Sequence, residues 1–168
     1  MERSAIRRAL IFMGAAALFV VGCANPFAPT LRGSTGSLWT DASTVGELLR
    51  NFSTAYELRD SLRYSELLAE DFQFQYFDPE LNRTEGWYRE TDLRATARMF
   101  RSFENISLVW QGLPAGSDTI ATEDTPVNIS VQYKLDLDEL SSVIGFARFT
   151  LFKQANDRFR IVLWQDDF

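Results

Sequence analysis

The stretch FSTAYELRDSLRYSELLAEDFQFQYFDP, residues 52–79, decides the fold because its apolar spacing changes from helical to strand-like. Its first residues continue a helix that begins at Thr44, since Thr44 and Glu47 have the spacing of a capping box. One face of that helix is apolar: Val45, Leu48, Leu49, Phe52, Ala55 and Tyr56. The helix is predicted to end near Asp60, and a short second helix follows over residues 61–70. A strand comes next, because aromatic residues alternate with glutamines: Phe72, Phe74 and Tyr76.

The rest of the chain is predicted to form one more helix and then strands. The helix covers about residues 90–103, and its apolar face contains Leu93, Ala97 and Phe100. Four strands follow it: residues 105–112, 126–138, 145–154 and 158–166. The last two form a hairpin across ANDR, a turn-type sequence. Because the helices are segregated from an antiparallel sheet, the chain is predicted to contain one α+β domain, residues 44–168.

This order of elements resembles the nuclear transport factor 2-like superfamily, also called SnoaL-like. The resemblance also rests on LLAEDF leading into a strand and on the closing FRIVLWQD at residues 159–166. It implies a cystatin-like cone, in which a strongly curved sheet wraps the N-terminal helices and leaves a pocket at the open end. Members of the superfamily include isomerases, dehydratases, cyclases and non-catalytic binding proteins, so the fold alone selects no function.

Eight aromatic residues are candidates for the wall of such a pocket: Phe52, Tyr56, Phe74, Tyr76, Trp87, Trp110, Tyr133 and Trp164. Aromatic residues at helix and strand spacing also pack into ordinary cores, and both interpretations are open for each residue. Tyrosine and tryptophan have polar tips that need partners when they are buried, so the pocket wall is expected mainly among them.

The ketosteroid isomerases of this superfamily indicate which catalytic groups the chain lacks. They use an aspartate base, with a tyrosine and a protonated aspartate as oxyanion donors. Asp60 and Asp71 have the same spacing as two aspartates of these isomerases and anchor an alignment with them. This alignment places Phe52 at the tyrosine position and Tyr76 at the base position, so both groups are missing.

Two carboxylates are alternative bases. Asp78 lies two residues beyond Tyr76 on the same strand face, and Asp166 follows Trp164 at the end of the last strand. Asp166 could instead orient a ligand at the open end of the cone, or be a solvated acid at a strand end. The chain contains no histidine, the residue that related dehydratases use, and only one cysteine. The sequence therefore predicts no metal site, no cofactor and no internal disulfide.

The position of the single cysteine, Cys23, predicts how the protein is attached to a membrane. An apolar run over residues 9–21 follows three arginines and is too short to span a bilayer. VVGC at residues 20–23 resembles the lipobox of bacterial lipoproteins, which implies a signal peptide over residues 1–22 and fatty acylation of Cys23, for example with palmitate. An ordinary cleaved signal and an uncleaved anchor remain alternatives. Residues 23–43 read as a lipidated cysteine and a flexible tether.

The net charge and the pattern of one strand indicate which kinds of partner the protein is expected to bind. The net charge of −6 argues against nucleic-acid binding, which depends on neutralising phosphates. The strand over residues 145–154 is apolar on both faces, so one face is expected to be covered by a contact. The resemblance to the nuclear transport factor 2-like superfamily, in which the outer face of the sheet often forms a dimer, implies a homodimer through this face.

Together these features predict a non-catalytic lipoprotein of the bacterial cell envelope, anchored on the outer side of the inner membrane or in the outer membrane. It is expected to bind a small apolar ligand or a protein partner through the pocket or the sheet face. The alternative is an isomerase, dehydratase or hydrolase with a carboxylate base. Two converging carboxyl or phenol groups inside a water-accessible cone would favour the enzyme.

Overall fold

A computed structural model of the chain describes residues 38–112, 125–138 and 141–167. The predicted signal peptide, Cys23 and most of the predicted tether lie outside the described residues. None of the helices in the described ranges combines the length and the apolar composition that crossing a membrane requires.

Two of the three helices in the described ranges begin at a residue whose side chain caps the first turn, and the third follows Tyr88, whose side chain makes no capping hydrogen bond. The helices are α1 (Val45–Glu57), α2 (Ser61–Leu67) and α3 (Arg89–Ser102). The Thr44 hydroxyl accepts a hydrogen bond of 3.2 Å from the Glu47 amide, and the Glu47 carboxylate accepts one of 2.8 Å from the Ser43 amide. Asp60, the predicted end of the first helix, is the N-cap of α2. The buried face of α1 contains all six predicted apolar residues, together with Asn51.

Six strands in the described ranges form one curved, open sheet in the order β2-β1-β6-β5-β4-β3. They are β1 (Leu68–Asp78), β2 (Arg83–Tyr88), β3 (Ile106–Gln111), β4 (Val127–Leu137), β5 (Ser141–Lys153) and β6 (Phe159–Asp167). Neighbouring strands are antiparallel except for β1 and β6, which run parallel. The helices pack on the inner face, and the predicted α+β fold class is confirmed.

The structure has one strand more than the apolar spacing predicts. Strand β2 is an edge strand, and four of its six residues are exposed, so its sequence lacks the alternation that marks a half-buried strand. Gly86 allows β2 to approach β1 closely, because a Cβ at this position would lie 2.2 Å from the Phe74 carbonyl oxygen. Helix α2 is shorter than predicted, since residues 68–70 already belong to β1.

The last residues of the predicted tether pack against the domain. The Asn51 side chain accepts a hydrogen bond from the Thr40 amide and donates one to the Thr40 carbonyl, each at 2.9 Å. The Phe159 amide donates to the carbonyl of buried Ala42 at 2.9 Å. The packed domain therefore includes residues 40–43, ahead of the predicted boundary at residue 44.

Strand β5 has two distinct faces, as its sequence predicts. Ala147, Phe149 and Leu151 point inward and are buried in the core. On the outer face, Ile144 and Phe146 are exposed, and Phe146 has 50% of its surface accessible. This alternation leaves two apolar side chains exposed on the outer face of β5, and Lys134 of β4 separates them from exposed Val109 of β3.

Candidate ligand site inside the cone

A cavity of about 320 Å³ lies between α1 and the inner face of strands β3 to β6. Its wall consists of Phe52, Tyr56, Leu108, Trp110, Tyr133, Leu135, Val143, Trp164 and Asp166. Residues two apart on a strand point to the same face, so each of β3, β4 and β6 contributes a pair of side chains to the wall. The cavity volume is at the small end of the range for small-molecule sites.

The eight aromatic candidates divide into two groups. Five line the cavity: Phe52, Tyr56, Trp110, Tyr133 and Trp164. The other three form a stack beside it, in which the Phe74 and Trp87 ring centroids are 4.4 Å apart and Tyr76 packs against both. Phe74 also meets Trp164 edge-on at 5.1 Å. Phe74, Tyr76 and Trp87 therefore support the cavity wall from the core rather than line the cavity.

Phe52 occupies the centre of the aromatic cluster. Its ring lies within 6.1 Å of five other aromatic rings, among them Trp110 at 5.4 Å and Trp164 at 5.6 Å. The Trp110 Nε1 group donates a hydrogen bond of 2.8 Å to the Leu49 carbonyl, which fixes its indole against α1. The Trp164 Nε1 group is buried and has no protein partner in the described ranges.

The polar part of the cavity wall is a carboxylate and a phenol. The Tyr133 hydroxyl lies 3.1 Å from Asp166 Oδ1 and 3.0 Å from Oδ2, and Asp166 is only 6% exposed. Burial raises the pKa of Asp166 to about 6, although the Tyr133 hydrogen bond opposes the shift. Burial also raises the pKa of Tyr133 above its usual value, and the nearby Asp166 charge adds to this effect. At neutral pH the pair is therefore mostly a charged carboxylate with a neutral phenol donor.

Gly145 makes the contact between Tyr133 and Asp166 sterically possible. Tyr133 is paired with Gly145 in the β4–β5 register, and β5 separates β4 from β6. A Cβ on Gly145 would lie 2.6 Å from the Tyr133 hydroxyl oxygen and 2.7 Å from Cζ. The Tyr133 ring therefore lies over the bare backbone of Gly145 and crosses β5 to reach Asp166.

A second buried carboxylate, Asp92 of α3, lies outside the cavity wall. The Tyr64 hydroxyl donates to Asp92 Oδ2 at 2.6 Å, and Trp87 Nε1 donates to Oδ1 at 3.0 Å. Burial raises the pKa of Asp92, and the two hydrogen bonds oppose this rise. Both oxygens have protein donors, so the group joins α2, β2 and α3 as a structural contact. In the described ranges, no three Asp, Glu or Cys side chains are grouped as metal ligands.

The two candidate bases are placed very differently. Asp78 ends β1 and accepts hydrogen bonds from the Glu80 and Leu81 amides at 2.9 and 3.0 Å, so it caps the turn into β2 and does not line the cavity. Asp166 lines the cavity and is not a solvated acid at a strand end. Tyr76, which the sequence alignment is expected to place at the isomerase base position, is the register partner of Asp166 across the β1–β6 pair.

Three aliphatic residues of the wall were not predicted from the sequence: Leu108, Leu135 and Val143. Aliphatic residues at strand spacing occur throughout the core, so the sequence pattern does not distinguish those that line a cavity from those that are fully packed. The polar pair did leave a trace in the sequence, because Tyr133, Gly145 and Asp166 all lie on predicted strands. The sequence does not give the strand order, however, and without that order these three residues cannot be placed side by side.

No family model and no curated protein matches this chain. Solved structures do match it. A proposed scytalone dehydratase from Novosphingobium aromaticivorans is 12% identical, with 73% of this chain and 80% of that chain covered and a TM-score of 0.57. A proposed dehydratase from Streptomyces avermitilis is 14% identical, with 75% and 94% covered and a TM-score of 0.55.

A protein of unknown function from Shewanella baltica, described as nuclear transport factor 2-like, is 13% identical, with 73% of this chain and 89% of that chain covered and a TM-score of 0.52. Identities this low bear on the fold and not on activity. This chain has three helices and a curved mixed sheet, and this architecture matches that of the solved structures. The described part of the chain therefore has the nuclear transport factor 2-like fold.

Proposed function

We propose that this protein is a lipid-anchored protein of the bacterial cell envelope that binds a small, mostly apolar molecule inside the cone. The observation that supports binding is the cavity itself, whose aromatic and aliphatic wall is interrupted by the Asp166–Tyr133 pair. Apolar surface with a few placed polar groups is typical of small-molecule sites. The resemblance of VVGC at residues 20–23 to a lipobox supports the anchor.

The ligand can be sought directly in protein purified from its own host. Native mass spectrometry should show a small molecule that stays with the full-length wild type and is released on unfolding. The variant Val143→Trp, which adds an indole to the cavity wall, should lose that molecule. Equal retention by the variant would place the molecule elsewhere and overturn the proposed site.

A second candidate function is proton transfer by Asp166. A carboxylate with a pKa of about 6, hydrogen-bonded to a phenol inside an apolar cavity, has the properties of a general base near neutral pH. The Asp166 carboxylate and the Tyr133 phenol converge inside the cone, and such a pair favours an enzyme. Two structural neighbours are named as proposed dehydratases. Against this function, the alignment anchored on Asp60 and Asp71 predicts Phe52 and Tyr76 at the positions of the isomerase tyrosine and base.

Catalysis of the isomerase type can be tested with a 3-oxo-steroid substrate. We expect the wild type to show no turnover above buffer. Turnover that is abolished by Asp166→Asn and kept by Asp78→Asn, the matched control at the turn, would make Asp166 the base and favour the enzyme over the binding protein.

The outer face of the sheet supports a further proposal, self-association. Ile144 and Phe146 form an exposed apolar patch on β5, and exposed apolar side chains on a sheet face are typical of contact surfaces. A second copy would cover the same patch on both chains in a two-fold dimer.

A further inference from the structure

Asp166 is a buried charge without a cation. It is the one ionisable carboxylate of the cavity wall, and its side chain accepts hydrogen bonds from two neutral donors among the described residues, the Tyr133 hydroxyl and the Asp167 backbone amide. No arginine or lysine in the described ranges forms an ion pair with it. The next residue, Asp167, points to the outer face, where Arg148 is its partner.

A buried carboxylate of this kind is costly in the empty protein. Moving an ionised group out of water requires compensation by hydrogen bonds or by an opposite charge. One phenol and one backbone amide supply two protons to a carboxylate with about four lone-pair sites, so acceptor capacity on Asp166 remains unused. A ligand that brings a cation or a strong donor would provide this compensation.

The rest of the wall is suited to a cation as well. The rings of Phe52, Tyr56, Trp110 and Trp164 surround the space beside Asp166. Ring faces attract cations electrostatically, and sites for alkylated ammonium groups are commonly built from several aromatic rings. A neutral hydrocarbon would use the apolar surface of these rings but neither their quadrupoles nor the carboxylate.

We propose that the ligand of this cavity is an apolar molecule that carries an alkylammonium group, with the ammonium beside Asp166 and the hydrocarbon against the indole rings of Trp110 and Trp164. This proposal rests on the proposed binding function and names its ligand class. The ammonium donates its N–H groups to the free lone pairs of Asp166, as a charge-assisted hydrogen bond, while Tyr133 keeps the carboxylate in place.

The test uses two rigid probes of the same shape, 1-adamantanamine, which is cationic at pH 7.5, and 1-adamantanol, which is neutral. Calorimetric titration of the full-length protein in non-ionic detergent, corrected for protein-free micelles, gives both affinities. We expect the amine to bind the wild type about tenfold more tightly or better, as one charge-assisted hydrogen bond would give. Asp166→Asn should remove this preference, and the matched control Asp167→Asn, an acid on the outer face, should keep it.

The outcomes separate this inference from the function on which it rests. Equal affinities for the two probes, or tighter binding of the alcohol, would overturn the ammonium proposal and leave the apolar site standing. A preference for the amine that persists in Asp166→Asn would overturn the role of Asp166. Binding of neither probe would overturn the proposed site together with its ligand class. The wild-type comparison decides the preference by itself, even if Asp166→Asn does not fold.

Discussion

The hydroxyl of Tyr133 lies 3.1 and 3.0 Å from the two carboxylate oxygens of Asp166, although the two residues belong to strands that are separated by β5. The contact forms because Gly145, the residue of β5 beneath the Tyr133 ring, has no side chain. Three strands thus cooperate in placing one polar pair in an apolar cavity.

Gly145→Ala should break this contact. A methyl group 2.6 Å from the Tyr133 hydroxyl oxygen forces the ring away, so the free energy of unfolding should fall by about 1–3 kcal/mol as a buried carboxylate loses its donor. Urea denaturation measures this loss. In the background of Tyr133→Ala, which has no ring to displace, the same change should cost under about 0.5 kcal/mol. Equal losses in both backgrounds would show that Gly145 acts through something other than Tyr133.

Asp166 should make stability depend on pH in a defined window. Its pKa is about 6 in the folded protein and near 3.8 when solvated, so the folded state binds more protons than the unfolded state between these values. The stability that the protonated group provides is present below pH 4 and is lost as the pH rises through 6. Asp166→Asn should therefore gain stability relative to wild type, by up to about 3 kcal/mol, between pH 4 and pH 7. A constant difference across this range would contradict the raised pKa.

The three helices and the cap of α1 could be predicted from the sequence because local spacing determines them. Thr44 and Glu47 cap α1 through contacts with residues a few positions away, and the apolar face of α1 follows from its period. Asp60 was predicted as the end of the first helix, and the structure shows that it also caps α2. The edge strand β2 was missed because exposed residues leave no alternation to detect. Inner-face positions of the sheet were visible from alternation alone, and five of the eight aromatic candidates do line the cavity.

The polar pair could not be deduced in the same way. Its geometry depends on strand order and on Gly145, and both are properties of pairing between distant segments. Asp166 could also be interpreted as a solvated acid, because its position at the end of a strand does not show whether other parts of the fold bury its side chain. Asp78 read as an alternative base for the same reason, and the structure assigns it to a turn.

Phe146→Glu should prevent association through the sheet. Phe146 is 50% exposed on the outer face of β5, and a charge there would have to be buried in a dimer. Sedimentation of full-length protein in detergent should show a dimer for wild type and a monomer for the variant. Phe77→Glu is the matched control, since Phe77 is 51% exposed but lies on β1 near the opposite edge. If the wild type is monomeric at a concentration of roughly tens of micromolar, the proposed dimer interface is wrong.

Cys23→Ser should abolish lipid attachment. Cys23 follows the short apolar run at the point where a lipobox would be processed, and a pair of acyl chains suffices for stable anchoring. Cells grown with a fatty-acid probe should label the wild type and leave the variant unlabelled, and the variant should leave the membrane fraction if the signal is still cut. Label on the variant, or an unlabelled wild type, would end the lipoprotein interpretation.

The most direct test of the cavity as a binding site is calorimetric titration of an apolar probe, 1-adamantanol, into wild type and two tryptophan variants. Val143 lines the cavity and is 37% exposed, whereas Val109 is 49% exposed on the outer face. We predict saturable binding of one probe per chain to the wild type and to Val109→Trp, and loss of binding in Val143→Trp. Binding that Val143→Trp leaves unchanged, or a wild type that takes up no probe, would contradict the account.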